Sequence, residues 1–261
     1  MSDQEHNTRH ETFISHLIEL RNRLLRSIIA ILVVFLFLYL VFPKGDAIYT
    51  FLAQPLMNVL PEGTSMIATE VTAPFFVPLK VTLMAAFLIT LPYVLWQLWA
   101  FVAPGLYRHE KKLMIPVLLS SLILFLIGMA FAYFIVFPVV FKFFATLVPD
   151  GVQMMTDIGK YVSFVLTMFL AFGVTFETPV VVMVLIYMNI VTLEQFRNAR
   201  PYIIVGAFVV AAIFTPPDVL SQLFLAFPLW LLYELGMFLA RFITSRSQES
   251  EVRDQESEVK S

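Results

Sequence analysis

Six apolar runs of near-bilayer length decide what this chain can fold into. Residues 24–42, 75–102, 113–144, 161–188, 201–214 and 219–242 are almost free of charge. About 20 such residues in a helix cross a hydrocarbon core of about 30 Å. A water-soluble domain of 261 residues has no interior large enough to bury them all. The chain is 59% hydrophobic and 14% charged, against about 45–50% and about 25% in soluble domains, which excludes a soluble globular enzyme. Cysteine is absent, so disulfides, thiolate nucleophiles and cysteine-based metal sites are excluded as well. A net charge of −2 offers no basic surplus for nucleic acid. The expected fold class is an all-α polytopic membrane protein with six transmembrane helices, spread over residues 1–243.

Lysine and arginine set the expected orientation. With the N-terminus inside, 13 of the 17 basic residues fall in cytoplasmic segments, and Lys44, Lys80, Lys142 and Lys160 do not. Both termini are therefore expected in the cytoplasm. The first apolar run follows a mixed-charge tail and lacks a small-residue cleavage site, so it reads as an anchor that stays. Residues 8–23 read as an amphipathic helix that runs along the membrane and then turns into the first span, opened by a capping box at Thr8 and Glu11. Between Pro201 and Pro216 lie only 14 residues, or about 21 Å of helix, so the fifth span is expected to be short. Pro92, Pro116, Pro138, Pro179 and Pro228 interrupt apolar runs, and each removes one helical hydrogen bond, which favours bent helices in a curved bundle. No internal repeat is visible. Residues 244–261 are nearly devoid of apolar side chains and read as a disordered cytoplasmic tail.

On the outer side, Ile48, Phe51, Leu52, Pro55, Leu56 and Val59 follow a helical apolar spacing. Pro55 is expected to break that helix in two. Asp218, after Thr215-Pro216-Pro217, is placed to cap the last helix. Neither HExxH nor GxSxG occurs, the four histidines all lie in cytoplasmic segments, and the three-residue spacing of His16 and Glu19 is too little to make a metal site. No catalytic site, cofactor or metal is expected.

Three carboxylates stand out. Glu177 lies deep in the fourth run, within Phe176-Glu177-Thr178-Pro179. A charge at the bilayer centre costs about 2.5–3.5 kcal/mol on insertion scales, so the position calls for a polar contact with Thr175, Thr178 or the carbonyl that Pro179 frees. Glu19 and Glu110 fall on the cytoplasmic side near helix ends. A carboxylate can hold a guanidinium through two hydrogen bonds, but each of these has basic neighbours that could neutralise it. The residues alone therefore leave several readings open: a proton-coupled solute carrier working through Glu177, a membrane scaffold, and a receptor for a basic partner.

Longer strings go further. Ser15-His16-Leu17-Ile18-Glu19-Leu20-Arg21-Asn22-Arg23-Leu24 resembles the amino-terminal signature of the TatC family, the Sec-independent protein translocase family of the twin-arginine system. So do Trp99-Ala100-Phe101-Val102-Ala103-Pro104-Gly105-Leu106-Tyr107, running into Arg108-His109-Glu110-Lys111-Lys112, then Ala171-Phe172-Gly173-Val174-Thr175-Phe176-Glu177-Thr178-Pro179, and Thr215-Pro216-Pro217-Asp218. The resemblance covers about residues 12–243. It implies a cupped six-helix bundle in the bacterial inner membrane, with both termini cytoplasmic and short fifth and sixth spans. By similarity, Glu19 and Glu110 would bind the twin-arginine signal peptide of a folded precursor, with Arg21 and Phe101 near that patch. Glu177 and Thr178 would make intramembrane polar or partner contacts, and Pro55 and Asp218 would matter on the outer side. The implied partners are the single-span proteins TatA and TatB in an oligomeric complex, the lipid bilayer and the signal peptide. Nucleic acid plays no part, and the proton motive force drives transport.

Overall fold

The computed structural model describes the backbone of residues 2–41, 46–58, 66–102, 114–149, 152, 155–188, 190–214 and 218–259. Side chains are described for residues 15–41, 50, 52–58, 66–102, 114–149, 152, 155–188, 190–214 and 218–241. Glu110, with the whole loop around it, lies outside these residues.

Every element of length is a helix: α1 (Ser2–Val41), α2 (Asp46–Met57), α3 (Ala73–Val102), α4 (Met114–Phe131), α5 (Phe137–Thr146), α6 (Ile158–Phe176), α7 (Thr178–Tyr187), α8 (Leu193–Phe214) and α9 (Val219–Val259). A π-helical turn, Ala132–Val136, joins α4 to α5. The described residues contain a single β-bridge, Ile67 to Asp157, and no strand. Six stretches are long and apolar enough to cross a membrane: Ser15–Val41, Ala73–Val102, Met114–Thr146, Ile158–Tyr187, Leu193–Phe214 and Val219–Arg241. All-helical spanning is what lipid demands, because a helix satisfies its backbone polar groups internally.

Packing divides the chain into two compact units, residues 1–51 with 68–122, and residues 52–67 with 123–261. In the first, α1 packs against α3. Its outer face leaves Leu24, Ile29, Val33, Phe37 and Leu40 exposed, as suits a helix bathed in lipid. Trp99 Nε1 donates to Ser121 Oγ at 2.9 Å, so two buried polar groups of α3 and α4 satisfy each other. In the second unit, α7, α8 and α9 pack around Val182, Ile186, Phe196, Tyr233, Met237 and Ala240. Small residues permit close helix approach here, as is usual where lipid supplies no hydrophobic drive between helices. A methyl group added at Gly128 would lie 2.5 Å from the Phe172 carbonyl oxygen, and one at Gly236 would lie 2.9 Å from Pro179 Cα.

The prolines act through distinct local devices. Pro138 follows the π turn, where the Phe137 amide reaches back to the Ala132 carbonyl. The widened turn makes room for a ring that would otherwise meet the preceding turn. Pro179 is the second residue of α7, two residues after α6 hands over at Glu177. Pro92 and Pro228 lie inside helices that continue through them.

Five expectations are corrected. First, α1 is one unbroken helix from Ser2 to Val41, not an interfacial helix turning into a span. No glycine or proline occurs before Pro43 to make the turn, and the helix starts ahead of Thr8. Second, Pro55 does not break α2, which runs through it to Met57. Near the end of a short helix only one backbone bond is forfeited. Third, α8 starts at Leu193 and not at Pro201. Fourth, at 22 residues α8 is about 33 Å long, enough to span; yet α8 and the 23-residue sixth span remain the shortest, the other four having 27 to 33 residues. Fifth, α9 stays helical to Val259, through the segment expected to be disordered. Scarcity of apolar residues there argues against a core, not against a helix, and glutamate, glutamine and arginine are good helix formers.

Candidate functional site

Helical periodicity brings His16, Glu19, Arg23 and Ser27 onto one stripe of α1, since residues three and four apart share a face. That stripe meets Gln97 and Phe101, four residues apart on α3. His16 stacks on Phe101 with ring centroids 4.3 Å apart and planes 21° from parallel. Next along α1, Glu19 Oε1 accepts hydrogen bonds from Arg23 Nε at 2.9 Å and from Arg23 Nη2 at 2.6 Å. The third guanidinium nitrogen, Nη1, donates to Gln97 Oε1 at 3.4 Å. Gln97 is buried, while the Glu19 side chain retains 36% of its exposure and that of Arg23 only 23%. Among the described residues, Glu19 Oε2 accepts no hydrogen bond. One of the basic neighbours of Glu19 thus does pair with it, at i,i+4 spacing, and leaves the Glu19 side chain about one-third exposed.

Arg21 does not join this arrangement. Two residues from Glu19 is about 200° around the helix. Arg21 is exposed and, among the described residues, donates to its neighbour Asn22, at 3.4 Å. The family resemblance implies a place for Arg21 near the Glu19 patch; on α1 the two side chains leave the helix on different faces. Gln97 was not anticipated, although it is the only amide in the apolar run 81–102 and sits one turn before Phe101. A lone polar residue inside such a run is the signal that finds it.

In the second unit Glu177 sits at the joint between α6 and α7, with helical backbone angles of φ −72° and ψ −16°. Its two carboxylate oxygens are shielded from solvent. Pro179 has no amide to offer the Thr175 carbonyl, and Thr178 Oγ1 donates to that carbonyl instead, at 2.6 Å. Thr178 therefore serves the broken backbone ladder. Pro55 and Asp218 belong to the same unit. Pro55 is buried in the second half of α2, beside Leu52, whose carbonyl accepts from the buried Tyr161 hydroxyl at 2.6 Å. Asp218 caps α9, its Oδ1 accepting from the Ser221 amide at 2.7 Å. Glu234, near the end of the last span, pairs with Arg200 at 2.6 Å. None of these is within a metal-binding cluster of His, Asp or Glu among the described residues.

Comparison with known proteins fits this arrangement. A family model described as "Sec-independent protein translocase protein (TatC)" matches residues 15–228. A TatC protein of Azotobacter chroococcum is 53% identical over 235 residues, 90% of this chain and 91% of that one. TatC of Escherichia coli strain K12 is 51% identical over 241 residues, 92% of each. A crystal structure of the twin-arginine translocase receptor TatC superposes with a TM-score of 0.78 at 41% identity, covering 88% of this chain and 99% of that one. These relatives are components of a protein translocase and not enzymes. With its six spans, the chain is a multi-pass membrane protein, and it belongs to the TatC family of Sec-independent protein translocase proteins.

Proposed function

We propose that this protein is the signal-binding receptor subunit of a twin-arginine translocation system, taking the paired arginines of export signals on folded precursors at the cytoplasmic rim of the inner membrane. The observation that carries the reading is the Glu19 side chain: about one-third exposed, at the start of the first span, on a helix face furnished with Gln97 and Phe101. Glu110 supplies the second carboxylate from the loop between the second and third spans. Both chain termini face the cytoplasm, as the basic residues favour.

Two carboxylates read Arg-Arg in preference to Lys-Lys for a geometric reason. A guanidinium presents parallel N–H groups that match a carboxylate fork, and an ammonium is a compact, strongly hydrated point charge. Hydrogen bonds to charged groups contribute about 1.5–3 kcal/mol each, so two sites suffice for useful discrimination. Phe101 gives the apolar part of the signal a surface beside the charged part. Glu177 and Thr178 serve a second contact inside the membrane, with the inserted signal or a partner helix. Pro55 and Asp218 support activity from the outer side by fixing α2 and the start of α9. TatA and TatB are the partners, in an oligomeric complex, and the proton motive force drives transport.

Photo-cross-linking tests this directly. A probe placed beside the arginine pair of a signal peptide should label the native chain in membranes. Glu19→Ala and Glu110→Ala should each weaken the product, and together remove it. A solute carrier would give no specific product with the native chain.

A further inference from the structure

The Glu19 carboxylate is already occupied by a guanidinium from its own helix. Arg23 places Nε and Nη2 on Glu19 Oε1, at 2.9 and 2.6 Å, and Nη1 near Gln97 Oε1, at 3.4 Å. This is the kind of ligand that the receptor reading assigns to Glu19 from outside. We propose that Arg23 is a built-in competitor: it covers Glu19 in the resting receptor, and an arriving signal arginine must displace it.

The inference rests on the receptor reading and deepens it. Bidentate binding uses both oxygens of a carboxylate, and Oε1 already holds two donors. A second guanidinium could reach Oε2 alone, but it would then lie against the positive charge of Arg23. Displacement removes that repulsion. Gln97 makes displacement inexpensive, because its buried carbonyl oxygen is already within reach of the same guanidinium. Arg23 can leave Glu19 without losing every partner. An i,i+4 pair on one helix suits this role. It re-forms without rearranging the fold, and it is weak enough to yield.

The effect has a definite sign. An internal competitor weakens every external ligand of Glu19 by the same factor. A residue that positioned Glu19 would strengthen them. The test titrates the full-length chain in proteoliposomes with a synthetic peptide carrying an Arg-Arg pair before an apolar stretch, and with its Lys-Lys counterpart. Arg23→Gln should tighten both peptides about fivefold, which corresponds to about 1 kcal/mol, and should leave their ratio unchanged. Arg23→Lys keeps the charge but loses the fork, and should give a smaller gain in the same direction. Arg26→Gln removes one positive charge that does not touch Glu19, and should leave both affinities within twofold. Adding Glu19→Gln to Arg23→Gln should abolish the gain. Weaker or unchanged binding in Arg23→Gln, or an equal gain in Arg26→Gln, would overturn the competitor. Glu19→Gln alone separates this outcome from failure of the receptor reading. If it does not weaken the Arg-Arg peptide, the receptor reading fails first.

Discussion

At the scale of single residues, the sequence was legible where a side chain serves its own helix. The neutralising of Glu19 by a basic neighbour, which proves to be Arg23, and the Asp218 cap are both local and both present. It was less legible where the partner lies far along the chain. Nothing in the spacing of α1 shows that Arg23 reaches Gln97, 74 residues away, or that Arg200 reaches Glu234. Thr178 falls between the two cases: the expectation gave it to Glu177, whereas the carbonyl left open by Pro179 takes it. Thr178→Val should therefore loosen the α6–α7 joint by about 0.6–1.7 kcal/mol, the range for hydrogen bonds within membranes. Unfolding of the purified protein in mild denaturing detergent would show it. Thr178→Ser, which keeps the hydroxyl, should be close to native. Gly128→Ala puts a methyl group 2.5 Å from the Phe172 carbonyl. Backbone cannot yield as a side-chain tip does, so this change should cost about 1–3 kcal/mol in the same assay.

At the scale of elements, apolar runs located the six spans to within a few residues, except at the starts of the first and the fifth, which lie nine and eight residues earlier. For the fifth, the expectation began at Pro201 because proline usually ends a helix. The competing signal was a capping box, Thr192-Leu193-Glu194-Gln195. Thr192 Oγ1 accepts from the Gln195 amide at 3.2 Å, and Gln195 Oε1 accepts from the Thr192 amide at 2.8 Å. Satisfying two terminal amides reciprocally fixes the helix start, and it outweighs a proline two turns further on. The continuity of α1 was missed for the opposite reason. A change from amphipathic to wholly apolar pattern was read as a bend, but composition can change along a helix without the backbone changing. Capping also supports a test on the outer side. Asp218→Ala removes the acceptor for the Ser221 amide and should destabilise the start of α9 by about 0.5–2 kcal/mol, whereas Asp218→Asn, which keeps a capping oxygen, should lose little. Hydrogen exchange at Ser221 and Gln222 would resolve it, fast in the alanine variant and near native in the asparagine variant.

At the scale of the whole molecule, fold class and family were readable from the sequence because lipid restricts a chain so severely. Only helices or closed barrels span it, and six runs of this length leave one arrangement of spans. The direction of insertion rests on 13 of 17 basic residues falling on one side. Reporter domains fused to either end should accordingly be active only in the cytoplasm, and activity of either fusion on the outer side would reverse the placement of Glu19 and Glu110. What the sequence could not supply is the state of the receptor at rest, because that depends on which guanidinium already occupies Glu19. The most direct test of the account is the ratio of affinities for Arg-Arg and Lys-Lys signal peptides, measured on the native chain and on Glu19→Gln in the same proteoliposomes. The native chain should favour Arg-Arg at least tenfold, about 1.4 kcal/mol, and the ratio should fall toward one when Glu19 loses its charge. A preference for Arg-Arg that survives Glu19→Gln undiminished would contradict it.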